Sequence, residues 1–189
     1  TADGKSYVPF TLQINRADLT RPDNVAVYVR AVPRGAAAAA AAPAAPAPAA
    51  NNNNRNAAPA PRPSYPWEQV YFTSLAADGK FQRPLQVPGG EYDVYVAVRD
   101  QSNGDRRQMF KTGLLRHRVT VPDFAKAELQ TSSLMVGPLE QANPSQAAEN
   151  PYIIGNMKLA PMEKPSVSKA GEFTMVYFVY GFQRDMATN

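Results

Sequence analysis

Apolar and polar residues alternate with period two through most of the chain, the spacing of strands that bury one face. From Tyr7 to Arg16, Val8, Phe10, Leu12 and Ile14 fall on one side and Thr11, Gln13 and Asn15 on the other. Asn24 to Val32 sets Val25, Val27, Val29 and Ala31 against Tyr28 and Arg30, and Trp67 to Leu75 carries Trp67, Tyr71 and Phe72. Phe81, Leu85 and Val87 mark a further strand, which Pro84 restricts to an edge or a bulge because proline cannot donate to a ladder. The sharpest pattern runs from Glu91 to Asp100, with Tyr92, Val94, Val96 and Val98 opposite Asp93, Tyr95, Ala97 and Arg99. Asn103-Gly104 favours the two positive φ angles of a tight hairpin turn, so Met109 to Val121 is predicted to return antiparallel. Leu129 to Val136 completes seven predicted strands.

Two regions depart from this pattern. Ala36 to Pro63 is 28 residues of Ala, Pro and Asn with only Arg55 and Arg62 charged, and it has no large side chain to bury. It reads as an extended loop inserted between two strands, either a tolerated insertion or an arm that orders on a partner. The final fifty residues open with a loop, Gly137 to Pro151, followed by predicted strands Tyr152 to Ala160 and Phe173 to Phe182 that form a C-terminal β-hairpin. The second of these is apolar on both faces, with Phe173, Met175, Tyr177 and Val179 on one and Val176, Phe178, Tyr180 and Phe182 on the other. Such a strand lies between two layers, opens a second sandwich, or is an interface. Tyr177, Phe178, Val179, Tyr180 and Phe182 are accordingly the candidate protein interface.

Strand number and spacing predict an all-β chain, an immunoglobulin-like antiparallel β-sandwich over residues 1–137 that carries the 36–63 insertion. Residues 138–189 then form a linker and hairpin, or the start of a second sandwich.

Composition narrows the chemistry. Cysteine is absent and His117 is the only histidine, which excludes disulfide frameworks, zinc-thiolate sites, iron–sulfur clusters and any site needing two histidines. No nucleophile elbow, phosphate-binding glycine loop or calcium loop is present. His117 alternates with Leu115, Val119 and Val121, a setting for a structural histidine, and nothing local singles out Ser132, Ser133, Asp93 or Asp123 as its partners. The expectation is a protein without catalytic residues, cofactor or metal. Asp3-Gly4-Lys5 and Asp78-Gly79-Lys80 repeat one tripeptide, and both are read as turns in which Asp bonds its own backbone and Gly takes positive φ.

Twenty Lys and Arg against sixteen Asp and Glu leave a net charge of +4, too small to indicate nucleic acid. Locally, Arg106, Arg107, Lys111, Arg116 and Arg118 crowd around one predicted hairpin as a candidate basic patch. It either meets an anionic partner or protects an edge from pairing. Trp67, Tyr71 and Tyr95 are the candidate rings for sugar stacking in an alternative reading as a carbohydrate-binding module.

The run from Gly90 to Asp100, with Arg118-Val119-Thr120-Val121-Pro122-Asp123-Phe124, Thr131-Ser132-Ser133-Leu134 and Val176 to Gly181, resembles immunoglobulin-like repeats. These repeats occur in large exported bacterial proteins of unknown function, some with von Willebrand A-type domains. The likeness spans roughly residues 85–185 and supplies no catalytic residues. It implies a periplasmic or extracellular, multidomain, interaction-type setting. The apolar final strand in turn leads to the expectation of a non-enzymatic structural or protein-interaction module whose partners are other protein subunits or domains, with an accessory subunit docked on a membrane-complex neighbour as its concrete version. With Thr1 as the first residue, a leader or anchor is expected to be missing from the chain shown.

Overall fold

The computed structural model describes residues 4–35, 64–100, 111–126, 128–147 and 149–181. The 36–63 insertion and the Asn103-Gly104 turn lie outside the described residues. In chain order the first strands are β1 (Ser6–Gln13), β2 (Val25–Pro33), β3 (Trp67–Thr73), β4 (Lys80–Val87), β5 (Gly90–Asp100) and β6 (Thr112–Val121). Shorter strands follow: β7 (Gln130–Thr131), β8 (Met135–Gly137), β9 (Leu139–Gln141), β10 (Ile153–Ile154), β11 (Met157–Leu159), β12 (Thr174–Val176) and β13 (Val179–Tyr180). Helix among the described residues is limited to short 3-10 turns such as Arg16–Asp18 and Pro144–Gln146, so the chain is all-β. Every pairing with a defined register is antiparallel.

The described residues fall into two compact units, each built from separated stretches of chain. One contains residues 15–35, 64–75, 87–100 and 111–121 and is organised around a four-stranded sheet in the order β3-β2-β5-β6. The alternation predicted for its two central strands is realised. Val25, Val27, Val29 and Ala31 are completely buried, while the residues between them stay partly accessible. Their partners across β5 on the same face, Val94 and Val96, are buried as well. Burial of each such valine contributes on the order of 1.5–3 kcal/mol, so this face is where the sheet gains its stability. Tyr92, buried at the start of β5, donates its hydroxyl to the carbonyl of Pro88 at 2.9 Å and pins the turn that leads into the strand. Burial pushes its phenol pKa above the ordinary value.

The other unit holds residues 4–14, 76–86 and 122–181, except for the positions outside the described set. Among the described residues β1 and β4 pair only with each other, so the Pro84-containing strand lies at an edge there, one of the two positions predicted for it. Asp78-Gly79-Lys80 forms the predicted turn: the Asp78 carboxylate accepts from the Lys80 N–H at 3.0 Å and Gly79 has φ +69°. Tyr152, Ile153 and Leu159 supply the buried residues of the later strands, and the Thr11 hydroxyl donates to the Tyr152 hydroxyl at 3.1 Å.

The C-terminal pairing differs from the expected hairpin. Tyr152 to Ala160 is not one strand but a small hairpin of its own, β10 with β11, extended by β9. Thr174–Val176 and Val179–Tyr180, the described strand residues of the predicted Phe173–Phe182 strand, pair instead with the predicted Leu129–Val136 strand, as β12 with β8 and β13 with β7. Those two ladders are offset by one residue, because Ser132, Ser133 and Leu134 stand opposite only Tyr177 and Phe178. This is a bulge. Ser132 fixes it twice, donating its N–H to the Phe178 carbonyl at 2.8 Å and accepting the Phe178 N–H on its hydroxyl at 2.9 Å. A serine side chain that substitutes for a backbone partner is what divides one predicted strand into two.

Candidate functional site

Register assigns the side chains of the four-stranded sheet to its two faces. On the face opposite the buried valines, Arg30 of β2 stands across from Glu68 of β3 and Tyr95 of β5, and Tyr95 stands across from Arg116 of β6. These residues form a ladder of rings and cations. The Arg30 guanidinium lies 4.5 Å from the centre of the Tyr65 ring and 5.2 Å from that of Tyr95, and Arg116 lies 5.6 Å from Tyr95. Arg30 also donates to the Tyr65 hydroxyl at 3.1 Å, while its buried Nε has no acceptor among the described residues, so the ring faces supply part of its stabilisation. Tyr28 bonds Glu68 on the same face. Its phenol pKa is raised, first by burial and then by that hydrogen bond.

Asp93 anchors the end of this ladder. Arg116 donates to its carboxylate at 2.8 Å and Arg34 approaches it at 3.8 Å. The Arg116 hydrogen bond, joined by the charges of Arg116, Arg34 and Arg118, holds the Asp93 carboxyl below the ordinary carboxylate range. One carboxylate thus serves several arginines, and the locality stays cationic. Of the candidate basic patch, Arg116 and Arg118 share this face, Lys111 directly precedes β6, and Arg106 and Arg107 lie outside the described residues. Arg118 has no carboxylate within ion-pair distance among the described residues.

Two large apolar side chains whose exposure the sequence did not mark lie on the same sheet, Phe72 at 72% and Leu114 at 82%. Alternation assigns a side chain to a face; it does not reveal whether anything covers that face.

The three candidate stacking rings do not form one platform. Trp67 and Tyr71 are neighbours on β3, their ring centres 6.5 Å apart, in register with the buried Ala31 and Val27, whereas Tyr95 lies on the opposite face. His117 is exposed and stands across from Val94.

The C-terminal candidate interface lies in the other unit. Phe173, Met175, Tyr177 and Val179, all of one predicted face, are each between 42% and 56% exposed, and Phe178 is exposed as well. Tyr180 is half-buried, stacked on Phe124 with ring centres 4.1 Å apart. Phe182 lies outside the described residues. The described residues contain no group of three side chains suited to hold a metal ion, and no helix long and apolar enough to cross a membrane. Comparison with protein-family models, with curated proteins and with solved structures finds no match for this chain.

Proposed function

We propose that this protein is a non-enzymatic, protein-interaction module, an extracytoplasmic accessory subunit of a larger, membrane-associated assembly. The observation that carries the proposal is the apolar stripe Phe173, Met175, Tyr177 and Val179, exposed in the isolated chain. A contiguous row of this kind is disfavoured in water and is the usual mark of an association surface. The extracytoplasmic setting follows from the likeness to repeats of exported bacterial proteins.

An immunoglobulin-like sandwich is the fold we propose for this role. The order β6-β5-β2-β3 has the connectivity of the G-F-C-C′ sheet of variable-type immunoglobulin domains, and β1 with β4 has that of the B–E pair. The Tyr92 hydroxyl on the Pro88 carbonyl, four residues upstream at the start of the F-like strand, has the form of a tyrosine corner.

A photo-crosslinking residue at position 177, in the full chain in its producing cell, tests the function. The expected result is a discrete protein adduct that Met175→Ser weakens, with none from the exposed position 166. Equal labelling from both positions would overturn the proposal. A carbohydrate-binding role has one supporting observation, the adjacent half-exposed rings of Trp67 and Tyr71. That second reading requires a glycan-array signal that Trp67→Ala abolishes.

A further inference from the structure

Strand β6 ends the sheet order β3-β2-β5-β6, and no described residue pairs with its outer side. It is ten residues long and exposed along nearly all of its length, with Leu114 and Leu115 open to solvent on opposite faces. Its hydrogen-bonding phase can be derived. The Asp100 N–H donates to the Lys111 carbonyl across the β5–β6 pair. In an antiparallel ladder, bonded positions alternate with positions whose N–H and C=O point away. The groups of Thr112, Leu114, Arg116, Arg118 and Thr120 therefore face outward, a row of donors and acceptors ready for another strand.

Natural edges are blunted by brevity, proline, bulges or charge. β6 is long, contains no proline, and keeps an unbroken register from Gly90↔Val121 to Arg99↔Thr112. Charge is the one device present. It has a single sign, since Lys111, Arg116 and Arg118 are joined by no acidic residue between 111 and 121. An edge of this kind repels a second copy of itself, because antiparallel self-pairing would bring both sets of cations to one seam. The same charges favour an anionic strand.

We infer that β6 is a strand-addition site for an extended acidic segment of a partner protein. The added strand continues the sheet through the outward groups of the five even-numbered residues. It places carboxylates on the face of Arg116 and Arg118 and apolar side chains on the face of Leu115. Arg118 stands across from Asp93 but forms no ion pair among the described residues, since that carboxylate is bonded to Arg116, and it is the charge that selects the partner. β6 and the C-terminal stripe share no residue, so either assignment can fail without the other.

The test uses the full chain and two synthetic peptides of about ten residues, one alternating Glu with Val and one alternating Lys with Val. Amide hydrogen exchange is followed residue by residue. The Glu/Val peptide is expected to slow exchange at Thr112, Leu114, Arg116, Arg118 and Thr120 at least tenfold, leaving the odd-numbered amides already bonded to β5 unchanged, and the Lys/Val peptide is expected to have no effect. Leu114→Pro removes one outward N–H without touching the β5 ladder and should abolish the protection. Arg118→Glu, which keeps every backbone group, should weaken Glu/Val binding at least tenfold. Equal binding of both peptides, protection without the even–odd pattern, or the same amides already protected in a self-associated chain would each overturn the inference.

Discussion

Gly79→Ala isolates a single close approach in this fold, and the chain contains its own control. Gly79 has φ +69°, and a Cβ built there would lie 2.2 Å from the Ile14 carbonyl oxygen. The same backbone contact includes the Ile14 N–H donating to the Gly79 carbonyl at 2.9 Å. Gly4, in the other copy of the Asp-Gly-Lys tripeptide, has nearly the same φ, +67°, with nothing within 4 Å of its Cβ position. Forcing alanine into the left-handed region costs about 1–2 kcal/mol, partly offset by about 0.4–1 kcal/mol of lost unfolded-state freedom. Gly4→Ala should therefore destabilise by about 0–1.6 kcal/mol. At Gly79 the added carbon meets a backbone atom, which cannot rotate aside, so the Ile14–Gly79 bond must lengthen or break. That bond is worth about 1 kcal/mol, with more lost if a group is left unsatisfied. The expected total for Gly79→Ala is about 2–4 kcal/mol. Urea unfolding of both variants, extrapolated linearly, measures the difference. Equal losses at the two positions would refute the claim that the approach to Ile14 requires glycine.

The Asp93 carboxyl has a lowered pKa in the folded protein, so its contribution to stability is complete above the unfolded value of about 3.9 and is lost as pH falls through the lower folded value. Asp93→Asn should accordingly be less stable than the parent at pH 6, with the gap closing below about pH 4; urea midpoints across pH 2–6 check this, and a constant gap would contradict it. Leu159, only 1% exposed, should cost about 2–5 kcal/mol on truncation to alanine, whereas Leu114→Ala, at 82% exposure, should change stability by about 0.5 kcal/mol at most. Thermal unfolding of both separates a core position from an exposed one.

Sequence by itself determined the elements whose signal is local. The alternation of Val25 to Ala31 and of Tyr92 to Val96 depends only on which side successive residues face, and both strands form with those residues buried. Pro84 placed its strand at an edge because its missing N–H is a property of the residue, and Asp78-Gly79-Lys80 made its turn from its own atoms. Tertiary structure alone decided the pairings, since a strand carries no label for its partner. Tyr152–Ala160 folds back on itself, and Thr174–Tyr180 joins the Leu129–Val136 region with a one-residue offset at which Ser132, about forty-five positions away in sequence, bonds Phe178. The Arg30, Tyr95 and Arg116 ladder likewise required three strands to align before its members became neighbours. Exposure of Leu114 and of the Phe173–Val179 stripe was equally invisible beforehand, because hydrophobicity records what a side chain prefers and only the folded chain settles whether a neighbour arrives to cover it.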